Sequence, residues 1–320
     1  MTSAISVTDG IELSDGYTWR PMTVADLPAA QDLLDACEAA VTGERRPHQI
    51  DVGADARQPR VDMARDQLLI MAPNGALAAF GWVYPFDSGN AMCEPNVHPD
   101  HPRELLEEPL LVALERRAAQ RARAVGATSA RLSVWCEDGE TRRRDLLLGR
   151  AYAKVRDTHV MRIRLSEDAT RVAALPPGID ARPFRRPVDL RALHAAVEEA
   201  FAEHFNFEPT TFDDFSAWAT TEVEPERWLV AWDGGEIAGE VLALRREHDM
   251  WIESVSVRKP WRGRGLALAL LQRQFATLHG AGFDDVFLGV DAENATGAVQ
   301  LYERAGMHIW RRFWVFERTV

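Results

Sequence analysis

The chain has 320 residues, of which 46% are apolar and 27% charged, and a formal net charge of -12. Its length and composition suit a globular protein of two ordinary domains. The acidity argues against general nucleic-acid binding, which depends on neutralising phosphates, and no stretch approaches the ~18 apolar residues of a membrane span.

The start, MTSAISVTDGIELSDG, has neither a basic nor an apolar run of the secretory type. Cys37, Cys93 and Cys136 make an odd, widely spaced set that suits a reducing compartment, so a cytoplasmic protein is expected.

In chain order, Tyr17 to Met22 reads as a strand, followed by an amphipathic helix from Val24 to Ala40 with Leu27, Leu33, Leu34 and Cys37 on one face. Residues 42–64 are polar and carry several glycines and prolines, which predicts loop or broken helix. Strands at Gln67 to Met71 and Leu77 to Tyr84 flank Pro73-Asn74-Gly75, a hairpin signal. A strand from Asn90 to Val97 comes next. The helix from Leu105 to Val125 should turn Leu106, Leu110, Val112, Leu114 and Ala118 inward. Ser129 to Trp135 reads as a strand, Thr141 to Gly149 as a helix, and Thr158 to Leu165 as a closing strand. The arginines at 116, 117, 121, 123 and 142–144 read as solvated helix faces. Cys93, His98 and His101 offer only three metal ligands, with Pro99 and Pro102 preventing a shared helix face, so no metal is expected.

Residues 166–178, including Pro176-Pro177-Gly178, have linker composition. Beyond them the order repeats at an offset near 160: Ala181-Arg182-Pro183 echoes Trp19-Arg20-Pro21, and Leu288-x-Val290 echoes Leu132-x-Val134. A constant offset predicts duplicated domains, 1–165 and 179–320.

Within the second half, Trp251 to Val257 reads as a strand that Lys259-Pro260 ends. Arg262-Gly263-Arg264-Gly265 follows, and then apolar residues recur at helical spacing from Leu266 to Leu278. A helix N-terminus behind glycines suits a diphosphate, because its first N–H groups lack internal partners and its dipole end is positive. A bare G-x-G turn before any helix reads the same way. A Rossmann turn would need a third glycine, and position 268 is Leu. Opposite this turn the first half has Val97 to Glu104, without glycine, and opposite Tyr302 it has Leu147 or a neighbour.

Val257, Pro260 and Arg262-x-x-Gly265-x-Ala267, together with Asp291-x-x-Asn294-x-x-x-Ala298-x-x-Leu301-Tyr302-Glu303-x-x-Gly306, resemble in order and separation the two signatures of the GNAT acetyltransferases. The resemblance covers roughly the last 140 residues, the size of one domain. It implies an α/β fold of mixed sheets: two tandem GNAT-like domains, each a mostly antiparallel sheet flanked by helices. The first would be degenerate, without the cofactor turn, and the second catalytic.

The resemblance further implies acetyl-CoA as co-substrate and a small-molecule amine as acceptor, with a homodimer admissible. It puts backbone groups of Val255 and Val257 on the pantetheine beside a bulge that opens the slot. The turn N–H groups of Arg262, Gly263, Arg264, Gly265, Leu266 and Ala267 take the pyrophosphate. Tyr302 becomes the general acid for the leaving thiolate, or else a tyrosine packed beside Leu301. Asn294 caps the last helix or bonds the cofactor arm, and Gly306 stops that helix.

Glu253 is the candidate base, expected by alternation to share the face of Val255 and Val257, or else a surface glutamate. Glu240, His248 and Asp291 are reserves. Aromatics and acids from Phe201 to Glu208, with Phe212, Asp213, Asp214, Phe215 and Trp218, form either an amine cage or core. The competing function is a non-catalytic acyl-CoA-binding sensor or interaction protein.

Overall fold

In the computed structural model, residues 7–44, 50–167, 172–186, 188–221, 227–246, 249–294 and 297–320 are described, without the side chains of 54, 221 and 246. Tertiary contacts group the chain into two compact units, Met1–Val155 with Trp314–Val320, and Arg156–Phe313.

The first unit contains β1 (Thr18–Pro21), α1 (Leu27–Thr42), α2 (Val52–Ala56), α3 (Met63–Asp66), β2 (Gln67–Met71), β3 (Leu77–Pro85), β4 (Ala91–Val97), α4 (Arg103–Ala124), β5 (Arg131–Glu137) and α5 (Thr141–Gly149). Strands β1 to β4 pair antiparallel in sequence order, and β5 joins β4 in parallel. The hairpin at Pro73 to Gly75 forms as expected, with Gly75 at φ 82°. The two short helices α2 and α3 give the broken helix expected over 42–64, of which 45–49 lie outside the described residues. Helix α4 buries Leu106, Leu110, Leu114 and Ala118 as expected, and Leu111, Ala113 and Ala122 with them, but Val112 is only half-buried.

The basic runs are solvated only in part: Arg116, Arg123 and Arg142 are exposed as expected, but Arg117 and Arg143 are buried. Arg117 bonds Asp66 at 2.8 Å, and Asp66 is fully buried. Arg143 is also buried and bonds Glu107 at 2.8 Å. Local charge density cannot reveal a buried carboxylate contributed from 36 or 51 residues away, and only such a partner makes the burial of an arginine affordable.

The second unit holds β6 (Ala153–Arg164, from Arg156 on), β7 (Ile179–Pro183), α6 (Leu190–Phe201), α7 (Phe212–Thr221), β8 (Leu229–Asp233), β9 (Glu236–Arg246), β10 (Asp249–Val257), α8 (Leu266–Gly280), β11 (Asp285–Asp291), α9 (Ala298–Arg304) and the first half of β12 (His308–Thr319). Strands β7 to β10 are antiparallel neighbours in order, and β11 joins β10 in parallel. Helix α8 packs its Leu266, Leu270, Leu271, Phe275 and Leu278 against one face of this sheet, as the spacing predicts. The other face, with Val230, Leu242 and Leu244, receives α6 and α7.

These units divide at Val155/Arg156 and Phe313/Trp314, away from the boundary expected at 166–178. The strand expected to close the first half pairs antiparallel with β11 of the second unit, Thr158 opposite Asp291 through Arg164 opposite Asp285. The chain's last residues belong instead to the first unit, where Val320 and Ala130 exchange two backbone hydrogen bonds and Ser133 bonds Glu317. Both long strands alternate in the same manner, so their sequence contains nothing that chooses between the two units.

Candidate active site

A cleft of about 620 Å³ opens in the second unit, and its origin is a fault in strand pairing. β10 and β11 pair only from Met250 opposite Val286 to Ile252 opposite Leu288. At that point β10 bulges: Ile252 faces Ala243 of β9, Ser254 faces Leu242, and Glu253 is the extra residue. Such a bulge bends the strand and ends its pairing on one side. Beyond it β10 stays with β9, helped by Gly239, where a Cβ would come within 2.5 Å of the Ser256 carbonyl oxygen. Val255, Ser256 and Val257 therefore line one wall of the cleft, and Leu288 to Asp291 the other.

The glycine turn closes the cleft's end. Lys259–Trp261 forms a short 3-10 turn, Gly263 and Gly265 take φ of 72° and 78°, and α8 begins at Leu266. A Cβ at either glycine would meet open space, so the left-handed backbone is what demands glycine there. The turn is anchored at Trp261, whose buried indole N–H donates to Asp233 Oδ2 at 2.8 Å. Arg262 is anchored too: its Nε donates to the Val257 carbonyl at 2.8 Å and its Nη2 to that of Ala200 at 3.2 Å. Its guanidinium thus braces the turn against β10 and α6.

Tyr302, on α9, is 8% exposed and lines the cleft. Burial, reinforced by the charge of Glu240, pushes its phenol well above the ordinary tyrosine range, so it is a proton carrier at every physiological pH. α9 is capped by Gly297 at φ 73° and not by Asn294, whose carbonyl instead accepts the Gly297 N–H at 3.2 Å. Asn294 lies on the cleft wall. Gly306, at φ 97°, follows the last helical turn as expected, and Met307 N–H closes back onto the Tyr302 carbonyl.

Glu253 lines the cleft and is exposed. The alternation that was to put it on the face of Val255 and Val257 is interrupted at this residue. Ile252 and Val255, three apart, both belong to the α8-side core, while Ser254 and Ser256 meet Glu240 on the other face. Among the reserves, Asp291 lies in the cleft wall with Arg156 at 3.5 Å, Glu240 is fully buried, and His248 lies outside the described residues.

The aromatic-acidic stretch divides. Phe201 and His204, rings 4.4 Å apart, line the cleft, and burial together with the Arg262 charge lowers the His204 pKa. Phe215 and Trp218 are core, with Trp218 stacked on Trp228 at 5.0 Å. Sequence reasoning missed Ser256 and Trp261 as cleft residues and the part played by Gly239; a lone glycine opposite a signature strand was the available sign of the last. No group of three or more His, Cys, Asp or Glu able to hold a metal occurs among the described residues.

A splayed parallel strand pair that runs into an anion-binding helix start, with a buried phenol at its side, is the arrangement of a group-transfer enzyme acting on a nucleotide-linked donor. The comparisons with known proteins agree. The Acetyltransferase (GNAT) family profile matches residues 191–307. Over 291 residues the chain is 29% identical to a mycothiol acetyltransferase from Streptomyces bingchenggensis, covering 87% of this chain and 89% of that one.

Among solved structures, a GCN5-related N-acetyltransferase from Sphaerobacter thermophilus superposes with a TM-score of 0.79 at 32% identity, over 96% of this chain and 97% of that one. A tandem GNAT protein from the clavulanic acid biosynthesis pathway superposes at 0.69 and 14% identity, over 95% and 98%, a likeness of fold. This chain belongs to the GNAT family and is an N-acetyltransferase of tandem layout. Its family uses acetyl-CoA as co-substrate, and no described helix is long and apolar enough to cross a membrane.

Proposed function

We propose that the second unit transfers an acetyl group directly from acetyl-CoA to a primary amine of a small molecule, and that the amine belongs to a cysteinyl amino-sugar of the mycothiol type. The single observation that carries the transfer chemistry is the bulge at Glu253, which turns β10 from β11 directly above the glycine turn. The chain fits the co-substrate: the freed edges of Val255 and Val257 suit an extended amide-bearing arm, and the turn from Arg262 through Ala267 presents N–H groups to a pyrophosphate. Asn294 lines the same passage. The acceptor class rests on the name of the relatives, and Phe201 and His204 at the mouth suit a polar ring.

In this reading the fixed walls supply proximity, which can account for much of the acceleration. Glu253, exposed at the mouth, draws in the ammonium and takes its first proton. Tyr302 donates its proton to sulfur as the C–S bond breaks; burial keeps the phenol protonated, so the proton is in place when the thiolate forms.

The first unit takes no part in this chemistry. Its β4 and β5 also pair for three residues only, Ala91 to Cys93 with Leu132 to Val134, and then part. There, Arg143 of α5 bonds the carbonyl oxygens of Pro95 on β4 and Trp135 on β5, and pairs with Glu107, Glu140 and Glu94. Where the second unit has an open slot, the first has a buried arginine held by three carboxylates. Calorimetry with coenzyme A should therefore find one site per chain. Loss of thioester absorbance with a panel of amines, cysteinyl glucosamine conjugates included, tests transfer; tight binding without turnover on any amine would favour a sensor.

A further inference from the structure

Glu240 has no role in the reaction as described, yet its setting is unusual. It sits mid-strand in β9, opposite Ser256 of β10, with no exposure to solvent. Ser254 Oγ donates to its Oε1 at 2.6 Å, and Oε2 has no hydrogen-bond partner among the described residues. A buried carboxylate oxygen without a partner is costly to desolvate, so its place in the fold calls for an account.

The surroundings give the candidates. From β8 the cross-strand neighbour is Val230. From α6, which packs on β9, the buried side chains are Leu190, Leu193, Ala196 and Ala200. From β10 come Ser254 and Ser256, and from α9 the Tyr302 phenol, which feels the Glu240 charge. No cation pairs with Glu240 among the described residues. The titratable and charged groups of the adjoining cleft are Glu253, His204, Asp291, Tyr302, Arg262 and Arg304. Ser256 stands opposite Glu240 across the β9–β10 pair and lines the cleft, so it lies between the hidden carboxylate and the cleft.

We propose that Glu240 acts as an internal base, receiving by way of Ser256 the second proton that the amine loses, and that the acceptor amine therefore approaches from the α6 face of β10. The inference rests on the transfer reading above. The proton count leaves a place for such a group. An ammonium has three N–H protons and the product amide keeps one. Glu253 removes the first and releases it to water. The second leaves nitrogen as the C–N bond forms and passes by way of Ser256 to Glu240, whose carboxylate becomes the acid. Tyr302 protonates the departing sulfur, and after product release Glu240 gives its proton to solvent while Tyr302 regains one from solvent. Bonds and charges balance: C–N forms, C–S breaks, and one proton reaches solvent. Burial sets the Glu240 pKa at about 7, so the group can both accept and return a proton near neutrality.

The test compares wild type, Glu240→Gln and Glu253→Gln from pH 5.5 to 9, with acetyl-CoA and cysteinamide followed by thioester absorbance. Infrared difference spectra of the same proteins, with and without coenzyme A, read the carboxyl directly. The wild-type rate should rise with pH through a midpoint near 7. Glu240→Gln should lose that limb and about 100-fold in rate while binding coenzyme A within about twofold of wild type, and Glu253→Gln should keep the limb. A protonated-carboxyl band that fades through the same pH range should be present in wild type and missing only in Glu240→Gln.

A Glu240→Gln enzyme with wild-type rate and limb would overturn the proposal. So would the absence of that band, even if cysteinamide proves a poor acceptor. Failure of the wild type to bind coenzyme A would instead defeat the transfer reading.

Discussion

Trp261 Nε1 donates to Asp233 Oδ2 at 2.8 Å, and this bond fastens the glycine turn to the end of β8. Between them, Pro260, Gly263 and Gly265 give the turn its shape without giving it a fixed position. Asp233→Ala should leave the buried indole N–H unpaired, at about 1–3 kcal/mol. We expect weaker coenzyme A binding by calorimetry, by roughly tenfold for each 1.4 kcal/mol that falls on the turn, and a turnover number at saturation nearly unchanged.

Gly265→Ala tests the backbone alone. A Cβ there meets nothing within 4 Å, yet φ is 78°, so the penalty is that of a left-handed alanine, about 1–2 kcal/mol. The chain should fold, with circular dichroism unchanged, but lose coenzyme A affinity, because the donors of α8's first turn shift. Equal affinity in the variant would mean that the turn does not hold the diphosphate.

Tyr302→Phe preserves the ring in its buried place and removes the proton. Turnover should fall by about 100-fold or more, with the KM for acetyl-CoA nearly constant. Parallel losses in both would make the phenol a packing or binding group.

Glu240 gives the stability a definite pH dependence. Its folded pKa is raised to about 7 from an ordinary 4.5, chiefly by burial, so the folded chain holds this proton more tightly than the unfolded chain. The stability contributed by the protonated form is complete below about pH 4.5 and is lost as pH rises through 7, to a total of about 3 kcal/mol at 1.36 kcal/mol per unit. Thermal melts should show Glu240→Gln gaining on wild type between pH 5 and 8. A constant difference across that range would place the carboxyl in a more polar setting.

Arg143 lies within the first unit, with Glu107 at 2.8 Å. Arg143→Ala would leave the carboxylates of Glu107 and Glu140 buried with less compensation and should destabilise the protein by about 3–5 kcal/mol, read by urea denaturation. Coenzyme A stoichiometry should remain one per chain, because this notch also lacks a glycine turn to hold the diphosphate.

Much of the site was legible in order along the chain. Arg262 to Ala267 and Asn294 to Gly306 are local patterns: a turn that needs φ > 0, a helix start and a helix stop are set by residues within a few positions of one another. The strand ranges followed from β-branched runs in the same way. Glu253 was found for its place in the signature, but the face it was assigned depended on an alternation that the bulge breaks. Phe215 and Trp218 could not be separated from Phe201 and His204 by composition, since a cage and a core use the same rings.

By itself, then, the sequence determined that this is a duplicated α/β chain whose second half carries a glycine turn before a helix and a tyrosine at family spacing, because those features depend on short-range backbone geometry. Tertiary structure alone decided the rest. It gave Arg156 to Arg164 to the second unit and Trp314 to Val320 to the first, buried Arg143 among acids brought from distant helices and strands, and set Glu240 behind Ser256. Each of these depends on free energy gained between residues far apart in the chain, where strand register and burial are settled by partners that no local pattern names.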